Sequence, residues 1–184
     1  MNKLLLFLLL TSSLYSEAKI YMGVGAGVYH ENFSDVDAVS SSAIASFKLG
    51  YGNREAYAVE FSIDYAHNRS KIFSTSEQVT RDGNKYGFNV NLIKSFDWDI
   101  YILPFIKVGF GSGFLDIDRE LQKNLTYGTF DLVVGTYLPM GKHFDLELGY
   151  EMRTTSYEAI NTIVKKTSYN SLSNIAYMGI NYRF

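Results

Sequence analysis

Tyr57-Ala58-Val59-Glu60-Phe61-Ser62-Ile63-Asp64-Tyr65-Ala66 sets Tyr57, Val59, Phe61, Ile63 and Tyr65 against Ala58, Glu60, Ser62, Asp64 and Ala66. Successive side chains of a strand point to opposite faces, so one face is apolar with aromatic ends and the other carries two carboxylates. Residues 20–29 repeat the pattern. Ile20, Met22, Val24, Ala26 and Val28 oppose Tyr21, Gly23, Gly25, Gly27 and Tyr29. Residues 144–153 set Phe144, Leu146, Leu148, Tyr150 and Met152 against Asp145, Glu147, Gly149, Glu151 and Arg153.

The same test along the chain predicts eight strands, over 19–29, 43–51, 56–66, 84–95, 100–113, 127–138, 143–154 and 173–184. Ten residues rising about 3.3 Å each and tilted by about 40–45° cover about 24 Å, the height of the apolar band of a membrane barrel. The connections sort by length. Those at 30–42, 67–83, 114–126 and 155–172 are long, and those at 52–55, 96–99 and 139–142 are short. Outer-membrane barrels alternate long external loops with short periplasmic turns in this order. Aromatics mark two rims on the apolar faces: Tyr51, Tyr57, Phe144, Tyr182 and Phe184 by the short turns, and Tyr65, Tyr86, Tyr127 and Phe130 by the long loops. A soluble sandwich would need a second apolar face, which the chain lacks. The fold predicted is therefore all-β, an eight-stranded antiparallel up-and-down transmembrane barrel.

Composition agrees with two unlike faces. The 184 residues include 15 Tyr, 13 Phe, 1 Trp and 15 Gly, with no Cys and a net charge of -2. Mean hydropathy is -0.05, an average of an apolar wall and a polar interior. The missing cysteines exclude a disulfide framework, a thiol nucleophile and a zinc ribbon, and the charge offers no nucleic-acid footprint. Met1-Asn2-Lys3, the apolar run Leu4 to Leu10 and the small residues ending at Ala18 predict a cleaved signal peptide over 1–18, with the barrel domain at 19–184. The apolar run is too short for the ~20 residues of a spanning helix.

The last strand, Asn174-Ile175-Ala176-Tyr177-Met178-Gly179-Ile180-Asn181-Tyr182-Arg183-Phe184, ends on alternating aromatics. It resembles the C-terminal signature of Gram-negative outer-membrane barrels. Leu103-Pro104-Phe105-Ile106-Lys107-Val108-Gly109-Phe110-Gly111 and Leu146-Glu147-Leu148-Gly149-Tyr150 resemble the fifth and seventh strands of the small OmpA/OmpX-type and opacity-type surface proteins. The resemblance implies location in a Gram-negative outer membrane and recognition of Tyr182 and Phe184 by the barrel assembly machinery. The motifs specify a barrel superfamily, not an activity. No peptidoglycan-binding domain is expected after Phe184, so the cell-wall role of longer relatives is not carried over.

With the apolar faces toward lipid, the inward set is Lys48, Glu60, Asp64, Lys107, Asp131, Asp145, Glu147, Glu151, Arg153 and Arg183. Charges in a narrow barrel are costly unless paired, so these predict an ion-pair ladder, with Arg183 and Arg153 beside Glu147, Glu151 and Glu60, and Arg183 in reach of Asp145 or Glu147. An eight-stranded barrel is just wide enough for side chains to fill it. The glycine run at 23–27 lies in a strand without a following Lys-Ser/Thr, so it is no phosphate loop. Pro104 stands near a strand start, and Lys94 on the lipid face is placed to snorkel from the rim.

No catalytic, cofactor-binding or metal set is predicted. A lipid A deacylase on this scaffold pairs His with Ser two residues on. Here His67 and Ser70 are three apart, His30 has Ser34 only in a loop, and His143 falls at a short turn. The long loops mix charges: Glu31, Asp35 and Asp37; Arg69, Lys71 and Arg81; Asp116, Asp118, Arg119, Glu120 and Lys123; Lys165 and Lys166. The leading expectation is a non-enzymatic outer-membrane protein whose surface loops serve adhesion, other surface contacts or envelope integrity. Its expected partners are outer-membrane lipids, lipopolysaccharide and a host or surface ligand. The alternative is a small porin-like or lateral channel for small or apolar molecules, and behind it a lipid-modifying enzyme.

Overall fold

The computed structural model describes residues 18–34, 38–68, 71–74, 80–119, 122–161, 166–167 and 169–184. The expected leader through Glu17, Ser70 and the loop charges Asp35, Asp37, Arg69, Glu120 and Lys165 lie outside the described residues. Ten strands follow one another: β1 Lys19–Phe33, β2 Val39–Gly52, β3 Tyr57–His67, β4 Asn84–Ser95, β5 Leu103–Asp116, β6 Asn124–Met140, β7 Phe144–Tyr157, β8 Ile160–Asn161, β9 Lys166–Thr167 and β10 Asn170–Arg183. β1 to β7 and β10 close an antiparallel barrel in which each strand pairs with its chain neighbours and β10 pairs back to β1. β8 and β9 form a separate two-stranded hairpin between β7 and β10. Closure leaves no barrel strand with an unpaired edge.

The wall follows the alternation. Phe61, Ile63, Val24, Leu92, Val108 and Met178 are exposed on the outside, and Glu60, Asp64, Lys107 and Glu147 are buried inside. Rings meet at both rims. Phe144 and Phe184 each lie 5.1 Å from Tyr182 at the short-connection end, and Tyr86 lies 5.4 Å from Tyr65 and 4.9 Å from Phe114 at the other. Tyr127 does not belong to the outer rim. It has the opposite parity to Phe130 and points inward, buried, with its hydroxyl donating to the Tyr86 carbonyl at 2.8 Å.

Six strands run three or four residues further toward the long connections than alternation predicted, so β1 reaches Phe33 and β2 starts at Val39. Much of the length read as loop is strand overhang, and the β1–β2 connection shrinks to residues 34–38. Length therefore no longer sorts the connections cleanly. In the overhang the outward face turns mostly polar, with Asn32, Thr126 and Ser156 facing out beside the exposed Val39 and Leu172, while Phe33, Leu115, Leu125 and Tyr157 face in together with Glu31, Ser40 and Ser171.

β5 begins at Leu103 rather than at 100, because Asp97 to Asp99 form a tight turn. Asp99 takes a left-handed φ of 57° and its N–H donates to Asp97 Oδ1 at 3.0 Å, a local bond that Asp side chains favour. The short β6–β7 turn uses Gly141 at φ 80°. At Gly50 the need is for room, since a Cβ there would stand 2.1 Å from the Tyr21 ring that fills the lumen.

Candidate functional site

From the short-connection end upward, the lumen is stacked in layers. Arg183 Nε donates to Asp145 Oδ2 at 2.5 Å, and Arg54 from the β2–β3 turn reaches Asp145 Oδ1 at 3.2 Å. The Arg183 guanidinium lies 4.7 Å from the Tyr21 ring centroid. Above it sits an apolar layer of Tyr21, Ala58, Ile93, Leu103, Phe105, Val133 and Tyr137.

The next layer centres on Glu147. Its Oε1 accepts from Lys48 Nζ at 2.9 Å, Lys107 Nζ at 2.8 Å and the Tyr177 hydroxyl at 2.7 Å, and its Oε2 accepts from Asn181 at 2.9 Å. Lys107 also donates to Glu60 Oε1 at 2.8 Å, and the Tyr21 hydroxyl closes the chain on Glu60 Oε2 at 2.9 Å. The strands bring together partners far apart in sequence, because inward residues of opposite walls meet across a barrel this narrow.

Arg153 holds the third layer, with Nη2 2.8 Å from Asp64 Oδ2 and Nε 2.6 Å from Glu151 and 3.0 Å from Asp131. Nε donates to Glu151, and Asp131 Oδ1 lies close to the charge without a hydrogen bond. Asn89 donates to Asp64 at 2.8 Å. A cavity of about 40 Å³ lies between this layer and the Glu147 layer. That is room for about one to three water molecules.

All ten inward charges read from parity are buried. Their pairing differs from the expectation in that Glu147 and Glu60 pair with lysines, while Arg183 takes Asp145, one of the two acids in its predicted reach. A fourth charged layer escaped the sequence. Glu31, read as a loop residue, is buried. It accepts from Lys85 at 3.0 Å, Tyr157 at 2.7 Å, Ser171 at 2.5 Å and Tyr29 at 2.9 Å. Lys85 Nζ lies 4.9 Å from the Tyr127 ring centroid and 5.1 Å from that of Tyr157. The signal that could have found it is Glu31's parity with Tyr29, Gly27 and Tyr21.

An apolar cap closes this end: Phe33, Phe73, Leu115, Ile117, Leu125, Tyr127 and Tyr157. Phe73 comes from the β3–β4 connection. Asp82 holds it there by accepting the N–H groups of Ile72, Phe73 and Ser74 at 2.7–3.2 Å, and Arg119 Nε donates to the Phe73 carbonyl at 2.5 Å.

The histidines lie apart from the lumen. His30 Nδ1 is 2.6 Å from Ser41 Oγ on the neighbouring strand, so Ser34 is not its hydroxyl partner. His67 Nδ1 meets Asn84 Oδ1 at 2.8 Å, and His143 Nδ1 meets the Arg183 carbonyl at 2.8 Å. Among the described residues no group of three His, Cys, Asp or Glu side chains is placed to hold a metal.

Comparison with known proteins places this geometry among outer-membrane barrels. The family described as an outer membrane protein beta-barrel domain matches residues 4–184. Neisserial surface protein A is 17% identical, with 92% of this chain and 100% of that chain covered at a TM-score of 0.65. Ail, the attachment invasion locus protein of Yersinia pestis, solved with the heparin analogue sucrose octasulfate, is 14% identical, covered at 92% and 100% with a TM-score of 0.53. The N-terminal β-barrel domain of Pseudomonas aeruginosa OprF is 11% identical, covered at 88% and 97% with a TM-score of 0.50. At these identities the likeness is one of fold. Comparison with curated protein sequences finds no match.

Proposed function

Because this chain belongs to the outer membrane protein beta-barrel family, we propose that it is a non-conducting, non-enzymatic surface barrel whose raised rim makes contacts outside the cell. The observation that carries this reading is the filled lumen. Two apolar layers enclose the Glu147, Arg153 and Glu31 layers, and the cavity between the first two of these holds about 40 Å³. A conducting barrel needs a continuous aqueous path, and in a barrel of eight strands side chains take up that space. Catalysis needs a base, a nucleophile and an orienting group in mutual reach, and the three histidines meet a serine (Ser41) without an acid, an amide (Asn84, shared with Tyr65) and a carbonyl.

The partners proposed with this reading are bilayer lipids, lipopolysaccharide phosphates at exposed basic residues such as Arg81 and Lys123, and a host or surface ligand. Ail is named as a complex with a sulfated sugar analogue, which makes polyanionic glycans a first class to screen. Tyr182 and Phe184 are proposed as the contact for the assembly machinery, and residues 1–18 as the export signal. The test is single-channel recording in planar bilayers. The filled lumen predicts no discrete openings, and steady unitary steps from the purified chain would replace this reading with the small-porin alternative.

A further inference from the structure

From the short-connection rim up to Tyr65 and Tyr86, the described outward strand positions carry one Lys, Arg, Asp or Glu, and it is Lys94. It stands between Tyr57 on β3 and Ile106 on β5, in register with both. Its Nζ lies 4.3 Å from the Tyr57 ring centroid and 5.7 Å from that of Phe96. Trp98 continues the patch, 6.2 Å from Phe96 and 63% exposed. No described carboxylate pairs with Lys94. Of the two acids in the adjoining turn, Asp97 accepts the Asp99 N–H at 3.0 Å.

An ammonium on an apolar wall is stable only if its head reaches the interface and meets a counter-charge there. Ring faces supply part of that compensation. The headgroup layer supplies the rest, since aromatic residues such as Tyr57 and Trp98 sit at headgroup level. We infer that Lys94, with Tyr57, Phe96 and Trp98, forms a subsite for the phosphate of an anionic glycerophospholipid in the leaflet at the short-connection rim. The inference depends on insertion in a bilayer and is independent of whether the lumen conducts.

Trp98 is the only tryptophan of the chain, so it reports on its own lipid neighbours. The full chain is refolded into phosphatidylcholine vesicles containing either brominated phosphatidylglycerol or brominated phosphatidylcholine, and quenching of Trp98 is measured. A basic residue near a membrane surface contributes about 1 kcal/mol toward anionic lipid, so the parent is expected to prefer phosphatidylglycerol about fivefold. Lys94→Gln brings that ratio to about one, Lys94→Arg keeps it, and Lys142→Gln, on the β6–β7 turn of the same rim, leaves it unchanged. All variants are first matched for folding by heat-dependent gel mobility. Equal quenching by the two lipids in the parent would overturn the proposal. So would an equal loss in Lys142→Gln, which would mean diffuse surface charge. Abolition of the preference by added inorganic phosphate would mark a site for the free ion instead of the lipid.

Discussion

Around Phe61 the barrel turns aromatic and aliphatic side chains outward and keeps Glu60, Asn91 and Lys107 inside. Around Tyr157, at the other end of the wall, Phe33, Leu125 and Tyr157 turn inward and Asn32, Thr126 and Ser156 turn outward. One backbone ladder runs through both regions, so the hydrogen bonding is the same and only the solvent differs. Where lipid bathes the outside, the outside must be apolar and the polar groups collect in the lumen, satisfied by one another. Where water bathes the outside, burial of apolar surface inside the ring is again the favourable arrangement. The point of inversion marks how far the barrel stands above the bilayer.

The sharpest way to break this comparison is at the polar core of the lower region. Glu147→Gln leaves Lys48 without an acid partner and Lys107 with Glu60 alone. Removing one member of a buried pair costs about 3–5 kcal/mol, which urea titration of the lipid-inserted barrel should show. A cost under about 1 kcal/mol, the range of a solvent-exposed pair, would mean the network is hydrated and open.

A smaller effect addresses the wall itself. Phe61→Arg places a charge at mid-height on the lipid side, where it should cost about 2–4 kcal/mol. Ser156→Arg occupies an outward position above the inversion and should change stability by no more than about 0.5 kcal/mol, as surface substitutions do. Similar costs at the two sites, measured in the same vesicles, would remove the boundary.

A small effect is also expected at the exposed pair Lys123–Asp118. Its separation is 2.8 Å, the same as Lys107–Glu147. Yet Lys123 is 72% exposed and Lys107 2%. Lys123→Gln should cost less than about 1 kcal/mol, because solvent screens the pair and holding two long side chains together costs entropy. Denaturant midpoints of this variant and Glu147→Gln, compared side by side, separate burial from distance as the source of stability.

Strand identity was legible because a two-residue period survives in both regions; β4 was predicted at its observed bounds of Asn84–Ser95. The overhangs were not, for a physical reason. Ser40-Ser41-Ser42 and Glu31-Asn32 lack the apolar outward face on which the reading relied, so strand that water solvates passed for loop. Parity placed the ten inward charges, while the choice of partner was out of reach. Glu147 meets Lys48 from across the barrel, and only the closed ring decides that. Tyr127 misled because aromatic character suits a rim and a lumen equally. The Glu31–Lys85 layer failed on both counts, being coded in a stretch read as loop and paired over 54 residues.

The chain has no cysteine, so single cysteines placed along the outward face of β7 report the boundary without background. Leu148→Cys, Met152→Cys and Ser156→Cys are treated on intact cells with a membrane-impermeant maleimide. The account predicts labelling at position 156 and protection at 148 and 152 until the membrane is dissolved. Labelling at all three positions, or at none, would contradict a wall that lipid bathes below and water bathes above.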